Sequence, residues 1–295
     1  MDVSTRSDRR WSALALIVTA QFMVILDVAI VNVALPSIKS DLNFSQTNLQ
    51  WVISAYAIMF GGVLLLGGRL ADLLGRRRLF IAGLAVFAAS SLLCGLAWSE
   101  ASLITFRAVQ GLGGALLAPA ALSLLMTRFT EGRDRNLALG IYGAASGSGA
   151  AAGVLLGGVL TSYLNWSWIF FINVPVGIAA IVLAPLLLQE SRAGLEHRHF
   201  DFPGAASITA GLMLLVYTMT RATTDGWSAP STLALLAGSV SPGSPRRQAR
   251  SSSSSTPASC WAASGTMPST PSSSSLASCA SGSRPRTGPC PSVSR

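Results

Sequence analysis

Apolar residues run along this chain in long blocks, separated by short polar connections. The blocks fall near Trp11–Ala34, Leu49–Leu66, Leu79–Ala97, Ser102–Met126, Ala138–Leu164 and Trp168–Leu188. A seventh extends from about Pro203 to Thr220, and an eighth starts near Pro230 and stops at Val240. A run of about 20 apolar residues is long enough to cross a bilayer as a helix. Backbone groups in lipid must be satisfied within the segment, and no strand-like alternation competes. The pattern predicts an all-α integral membrane protein. A six-helix bundle occupies residues 1–190, and a polar connection with a seventh and a partial eighth membrane helix occupies 191–240. A disordered tail takes up 241–295.

Composition supports this class. Of the 295 residues, 51% are hydrophobic and 11% charged, against roughly 25% charged in a soluble domain. The net charge is +9. No basic patch interleaved with aromatics precedes residue 240, so nucleic acid is not an expected partner; the lipid bilayer is. The basic residues instead sort by connection. Arg6, Arg9 and Arg10 precede the first block, Arg69 and Arg76 to Arg78 lie between the second and third, Arg128, Arg133 and Arg135 between the fourth and fifth, and Arg192 and Arg198 between the sixth and seventh. The opposite set holds only Lys39 and Arg221. By the positive-inside rule the N-terminus is cytoplasmic and the chain is multi-pass in the cell membrane. The first block is long for a signal peptide and lacks a small-residue cleavage site, so it is expected to remain as a helix.

After residue 240 the composition breaks. The 55 residues that follow include 19 serines and 8 prolines and no acidic residue. Such a segment cannot bury a core. Because the break falls inside an apolar helix, a change of reading frame or a truncation near residue 240 is expected; a genuine Ser/Pro-rich tail is the alternative. Cys94 lies in an apolar block, and Cys260, Cys279 and Cys290 lie in the tail without metal-type spacing. Neither a disulfide framework nor a metal site is expected.

The candidate chemistry sits in the membrane. Asp27, in "VILDVAIVNVALP", is a carboxylate deep in an apolar run, and such groups are costly enough to suggest function. Arg107, in "LITFRAVQGLGG", is the second charge of this kind. Counting rise along helices that run in opposite directions, Arg107 lies about 9 Å below one surface and Asp27 about 24 Å above the other. In a core of about 30 Å those depths nearly coincide, so the two are expected to meet. Arginine favours the ionised carboxyl and burial the neutral one, a competition suited to proton exchange. A static ion pair is the plainer alternative. Asn32 and Gln110 are expected to complete the polar site. In the fifth block Ala145, Gly149, Gly153 and Gly157 recur every four residues, which allows close helix approach, as tight packing or as a sliding seam. Pro119, Pro175 and Pro185 are candidate kinks. No phosphate-binding loop, nucleophile set or dinucleotide fingerprint occurs, and His197 and His199 lie in a charged connection. Neither an enzyme nor a cofactor is expected.

Five segments together resemble the major facilitator superfamily, in particular its fourteen-helix drug:proton antiporters, over residues 11 to 240. "LDVAIVNVALP" carries Asp27 and Pro36. The loop between the second and third blocks is similar to G-x-L-A-D-x-x-G-R-[KR] at Gly68, Leu70, Ala71, Asp72, Gly75, Arg76 and Arg77, with Leu73 where an arginine often stands. R-x-x-Q-G matches Arg107, Gln110 and Gly111, with Pro119 downstream. G-x-x-x-G-P-x-x-G-G matches Gly149, Gly153, Gly157 and Gly158, with Val154 in place of the proline. "WIFFINVPVG", residues 168 to 177, is the fifth.

The resemblance implies proton-coupled export of amphiphilic or cationic small molecules by alternating access between two six-helix halves. The proton gradient would be the energy source. It implies a coupling or substrate role for Asp27 and Arg107, and a conformational latch in the loop of Asp72. The second half would then be absent from the chain. An importer on the same scaffold and an inactive half-transporter fragment are the rivals.

Overall fold

The computed structural model describes residues 3–129, 131–190, 202–226 and 229–240, all within one compact unit. The expectations for the connection at 191–201, with Arg192, His197, Arg198 and His199, and for the tail at 241–295 lie outside the described residues.

Among the described residues every regular element is a helix, in the order α1 Val3–Asp41, α2 Gln46–Leu74, α3 Arg76–Gly95, α4 Glu100–Arg128, α5 Arg133–Tyr163, α6 Trp168–Phe171, α7 Asn173–Leu187, α8 Phe202–Asp225 and α9 Pro230–Val240. Among the described residues six spans, with α6 and α7 counted as one, are long and apolar enough to cross a membrane. The helices outrun the apolar blocks because polar flanks extend them. The α1 helix runs past Ala34 and through Pro36 to Asp41.

Local chemistry sets the ends. The α1–α2 turn uses Asn43 at φ 53°. Ser45 then caps α2 by accepting from the Asn48 amide at 3.1 Å. Ser99 and Ser102 form a reciprocal capping box at the start of α4, which satisfies two amides that the first turn leaves open. A single residue, Gly75, joins α2 to α3. Its φ of +104° lies where side chains are strained, so glycine makes this tight reversal possible.

The sixth span is not one helix. Pro175 lacks the N–H that would reach the Phe171 carbonyl four residues back, and its ring crowds that carbonyl. The helix breaks at Ile172, and Asn173 starts the new segment.

The spans alternate direction. Glu100, opening α4, accepts from the Ser45 amide at 3.0 Å and from Asn48 at 2.7 Å, which places the starts of α2 and α4 at one end. Arg128, closing α4, donates to the Leu187 carbonyl of α7 at the other, arginine-rich end. The α4 helix packs against α2 and α3, and α1 packs mainly against α5. The α8 helix lies along α2, with Met213 over Gly62 and Tyr217 beside Trp51, and α9 lies on α8.

Two apolar clusters fill the interior. One, nearer the arginine-rich end, includes Leu14, Ile17, Phe80, Phe87, Leu117 and Leu124. The other includes Ile30, Ile38, Val52, Leu103, Trp166 and Phe170. A band of buried polar side chains lies between them.

Candidate functional site: a buried ion pair and a charged rim

The polar band is centred on Asp27, which is 0% exposed, and Arg107, which is 1% exposed. Their helices, α1 and α4, run antiparallel, and Arg107 Nη1 donates to Asp27 Oδ2 at 2.7 Å. The depth match computed from helix rise thus corresponds to contact. Gln110 follows Arg107 by three residues and shares its face. Its Nε2 donates to Asp27 Oδ1 at 2.9 Å, and its Oε1 accepts from Arg107 Nη1 at 2.7 Å. The break before α7 brings in Asn173, whose Nδ2 donates to Asp27 Oδ1 at 2.9 Å and to Ser91 Oγ at 3.3 Å. Ser91 donates onward to the Phe170 carbonyl at 2.9 Å. Arg107 Nε donates to the Val52 carbonyl at 3.2 Å. Cys94 lies 3.6 Å from Gln110 Oε1.

The carboxylate therefore accepts three hydrogen bonds, two from α4 and one from α7. A carboxylate offers about four lone-pair sites, so the group is nearly saturated and strongly placed. Arg107 has Gln110 Oε1 and the Val52 carbonyl as further acceptors.

Asn32 does not join this site. It is exposed and donates to the Val28 carbonyl of its own helix at 2.7 Å. Five residues at 100° each turn it about 140° away from Asp27. Asn173 takes the place expected for it.

The motif loop builds a second charged cluster at the arginine-rich end. Asp72, on the last turn of α2, pairs with Arg76 at 3.2 Å. The carboxylate at the start of α3 is Glu190. Its Oε1 accepts from the Arg77 amide at 3.3 Å, where the helix dipole favours an anion. Its Oε2 lies 3.6 Å from Arg77 Nε and 3.7 Å from Arg78 Nε, attraction without a hydrogen bond. Arg77 Nη1 donates to the Leu188 carbonyl at 3.3 Å and Arg128 Nη2 to that of Leu187 at 3.1 Å. Two arginines thus cap the open carbonyls of α7. A Cβ on Gly75 would strike the Glu190 carboxylate. Gly68 has no such role, since a Cβ there would sit 3.8 Å from Pro119. The tight crossing of α2 over α4 is at Gly67, against the Ala115 carbonyl.

On α5 the seam against α1 is real but narrower than the motif. A Cβ would sit 3.1 Å from the Phe22 carbonyl at Gly149, 2.7 Å from Ala29 Cβ at Gly153 and 3.0 Å from Val33 Cβ at Gly157. Gly158, one residue further round the helix, faces open space and is not part of the seam.

Asn173 and Glu190 are not singled out by the sequence pattern. Asn173 carries a usable signal, an amide inside an apolar run. Glu190 follows a helix end and carries none.

The family model described as Major Facilitator Superfamily matches residues 17–243. The chain belongs to the major facilitator superfamily. It is 48% identical over 228 residues to the puromycin resistance protein pur8 of Streptomyces alboniger, covering 77% of this chain and 45% of that protein. It is 44% identical over 238 residues to the cephamycin export protein CmcT of Amycolatopsis lactamdurans, covering 80% and 49%. It is 38% identical over 232 residues to the tetracenomycin C resistance and export protein of Streptomyces glaucescens, covering 79% and 43%. The chain spans about half the length of the curated relatives it matches. A crystal structure of a peptide transporter in complex with sulfate shares the fold, with a TM-score of 0.55 at 18% identity, over 76% of this chain and 48% of that one. The chain is accordingly a multi-pass membrane protein of this superfamily.

Proposed function

We propose that the protein acts in proton-coupled export of amphiphilic, drug-like molecules, with its first six spans forming one of the two bundles between which the transporter alternates. The carrying observation is the Asp27–Arg107 pair, fully buried and placed between the two apolar clusters. Intramembrane ion pairs mark proton and substrate paths. Relatives named for antibiotic resistance and export support the substrate class.

Asp27 exchanges the proton, Arg107 and Gln110 hold the carboxylate, and Asn173 fixes it from α7. The loop of Gly68, Asp72, Gly75, Arg76 and Arg77 serves as the conformational latch. Gly149, Gly153 and Gly157 give α5 a close seam on α1. No cofactor takes part, and the proton gradient supplies the energy. In this reading the arginine-rich end, with the N-terminus, is on the cytoplasmic side of the cell membrane.

The test uses everted membrane vesicles with an imposed proton gradient. One arm carries the 295-residue chain. The other carries its first 240 residues joined to the unmatched half of the puromycin resistance relative. Added puromycin is expected to release protons from at least the joined protein, and Asp27→Asn to abolish that release. Proton release that persists in Asp27→Asn refutes the coupling role. No puromycin-dependent proton movement in either arm refutes export.

A further inference from the structure

The Arg107 guanidinium lies over the ring of Tyr56 on α2, 4.3 Å from its centroid. The ring is held from several sides. Phe60 stacks on it at 5.8 Å with an interplanar angle of 12°. Gly111 of α4 lets the α2 backbone come close, since a Cβ there would strike the Tyr56 carbonyl, and Gly114 leaves room for the side chain, since a Cβ there would sit 3.1 Å from its hydroxyl. Yet the Tyr56 hydroxyl is buried and has no hydrogen-bond partner. The polar end of this side chain makes no bond in the site, while its face is applied to the buried Arg107 guanidinium.

We propose that Tyr56 is a positioning residue whose ring face retains Arg107 when Asp27 takes up a proton. The proposal rests on Asp27 being the proton-exchanging carboxyl. An aromatic face attracts a cation and repels an anion. In the ion pair the ring sees a cation largely neutralised by the Asp27 carboxylate. Once Asp27 is neutral, the ring sees the bare cation and the attraction is undiluted. The ring therefore favours the protonated state over the ionised one. It also keeps the guanidinium beside Gln110 Oε1 and the Val52 carbonyl, ready to re-form the pair. The other groups facing the pair are consistent with this. The α3 helix contributes Cys94, which is neutral as a thiol; α6 and α7 contribute Phe170, 5.8 Å from the guanidinium, and Asn173. The α5 helix meets α1 at this level through Gly153. Asp27 and Arg107 are the charged members of this set.

The experiment is infrared spectroscopy of the purified full chain in lipid nanodiscs. The carbonyl stretch of protonated Asp27 is identified as the carboxyl band that Asp27→Asn removes. The ratio of protonated to ionised Asp27 is then compared at one fixed pH. Tyr56→Phe keeps the ring and is expected to leave the ratio within about twofold. Tyr56→Leu is expected to lower it about three- to thirtyfold, the range that cation–π contacts span from exposed to desolvated sites. If Tyr56→Leu does not fold, fluorinated phenylalanines at position 56 give the same answer at nearly constant shape, because each fluorine weakens the ring face. The ratio should then fall stepwise with fluorine number. A ratio unchanged along that series overturns the proposal. So does a Tyr56→Phe effect as large as that of Tyr56→Leu, which would assign the role to the hydroxyl. If the Asp27 band is present and titrates but ignores the ring, only the Tyr56 proposal fails. If wild type never shows the band, the proton-coupling role of Asp27 fails and this proposal with it.

Discussion

Two clusters of arginine and carboxylate among the described residues differ above all in their access to water. In the membrane interior the side chains of Arg107 and Asp27 are 2% and 0% exposed, the contact is 2.7 Å, and neutral amides satisfy the remaining carboxylate oxygen. At the arginine-rich end the side chains are 17% to 65% exposed, and the ion-pair distances run from 3.2 to 3.7 Å. A charge taken out of water must be matched atom for atom, because an unpaired one costs several kcal/mol. A charge at the rim can exchange its partner for water or for another side chain at little cost. The interior cluster is therefore suited to a contact kept in one geometry. The rim cluster is suited to a contact that is made and broken as helices move.

The comparison is most directly broken by removing one arginine from each cluster. Arg107→Ala leaves an ionisable carboxyl buried without its cation, and the expected loss is about 3–5 kcal/mol. In practice the purified chain should lose most of its folded yield, or its thermal midpoint should drop sharply. Arg78→Ala at the rim should cost less than about 1 kcal/mol, because that side chain is 65% exposed and solvent already screens it. Equal losses from the two would refute the distinction. Asn173→Ala comes next. It removes a hydrogen bond to a charged acceptor and strands part of the Asp27 carboxylate, for about 1.5–3 kcal/mol by thermal denaturation. If Asn173→Ala is neutral while Gln110→Ala is not, then the break before α7 positions nothing.

Most of the fold was legible, because bilayer-length apolar blocks and sparse charge leave few alternatives to a helical bundle. The interior pair was legible for the same reason. A lone Asp or Arg in an apolar block must find a partner, and helix rise fixes the depth at which it can. What failed was the phase around the helix. Asn32 lies about 7.5 Å along the helix and about 140° round from Asp27. That error is visible on a helical wheel, so depth and phase have to be used together. Asn173 required the Pro175 break to be turned into a location, and that depends on how α7 lies against α1 and α3. Glu190 was out of reach, since a charged residue after a helix end carries no mark of what lies beside it in space.

The rim supplies the smaller and sharper tests. Glu190 faces Arg77, Arg78 and the opening amides of α3, so Glu190→Gln should cost about 1 kcal/mol at low salt. Most of that difference should vanish at about 1 M salt, where screening acts over only about 3 Å. Arg107→Ala, shielded by the bundle, should keep its full penalty at the same salt. Asp72→Asn touches only an i,i+4 pair with a 43% exposed carboxylate, a geometry worth about 0.3–0.5 kcal/mol before screening is taken off. Its effect on thermal stability should be barely measurable. If Asp72 is nevertheless a working part of the latch, Asp72→Asn will alter drug-driven proton release from the joined protein while leaving the folded chain untouched. If stability falls by more than about 1 kcal/mol instead, Asp72 belongs with the interior pair as a structural charge, and the division between a fixed interior and an exchangeable rim is drawn in the wrong place.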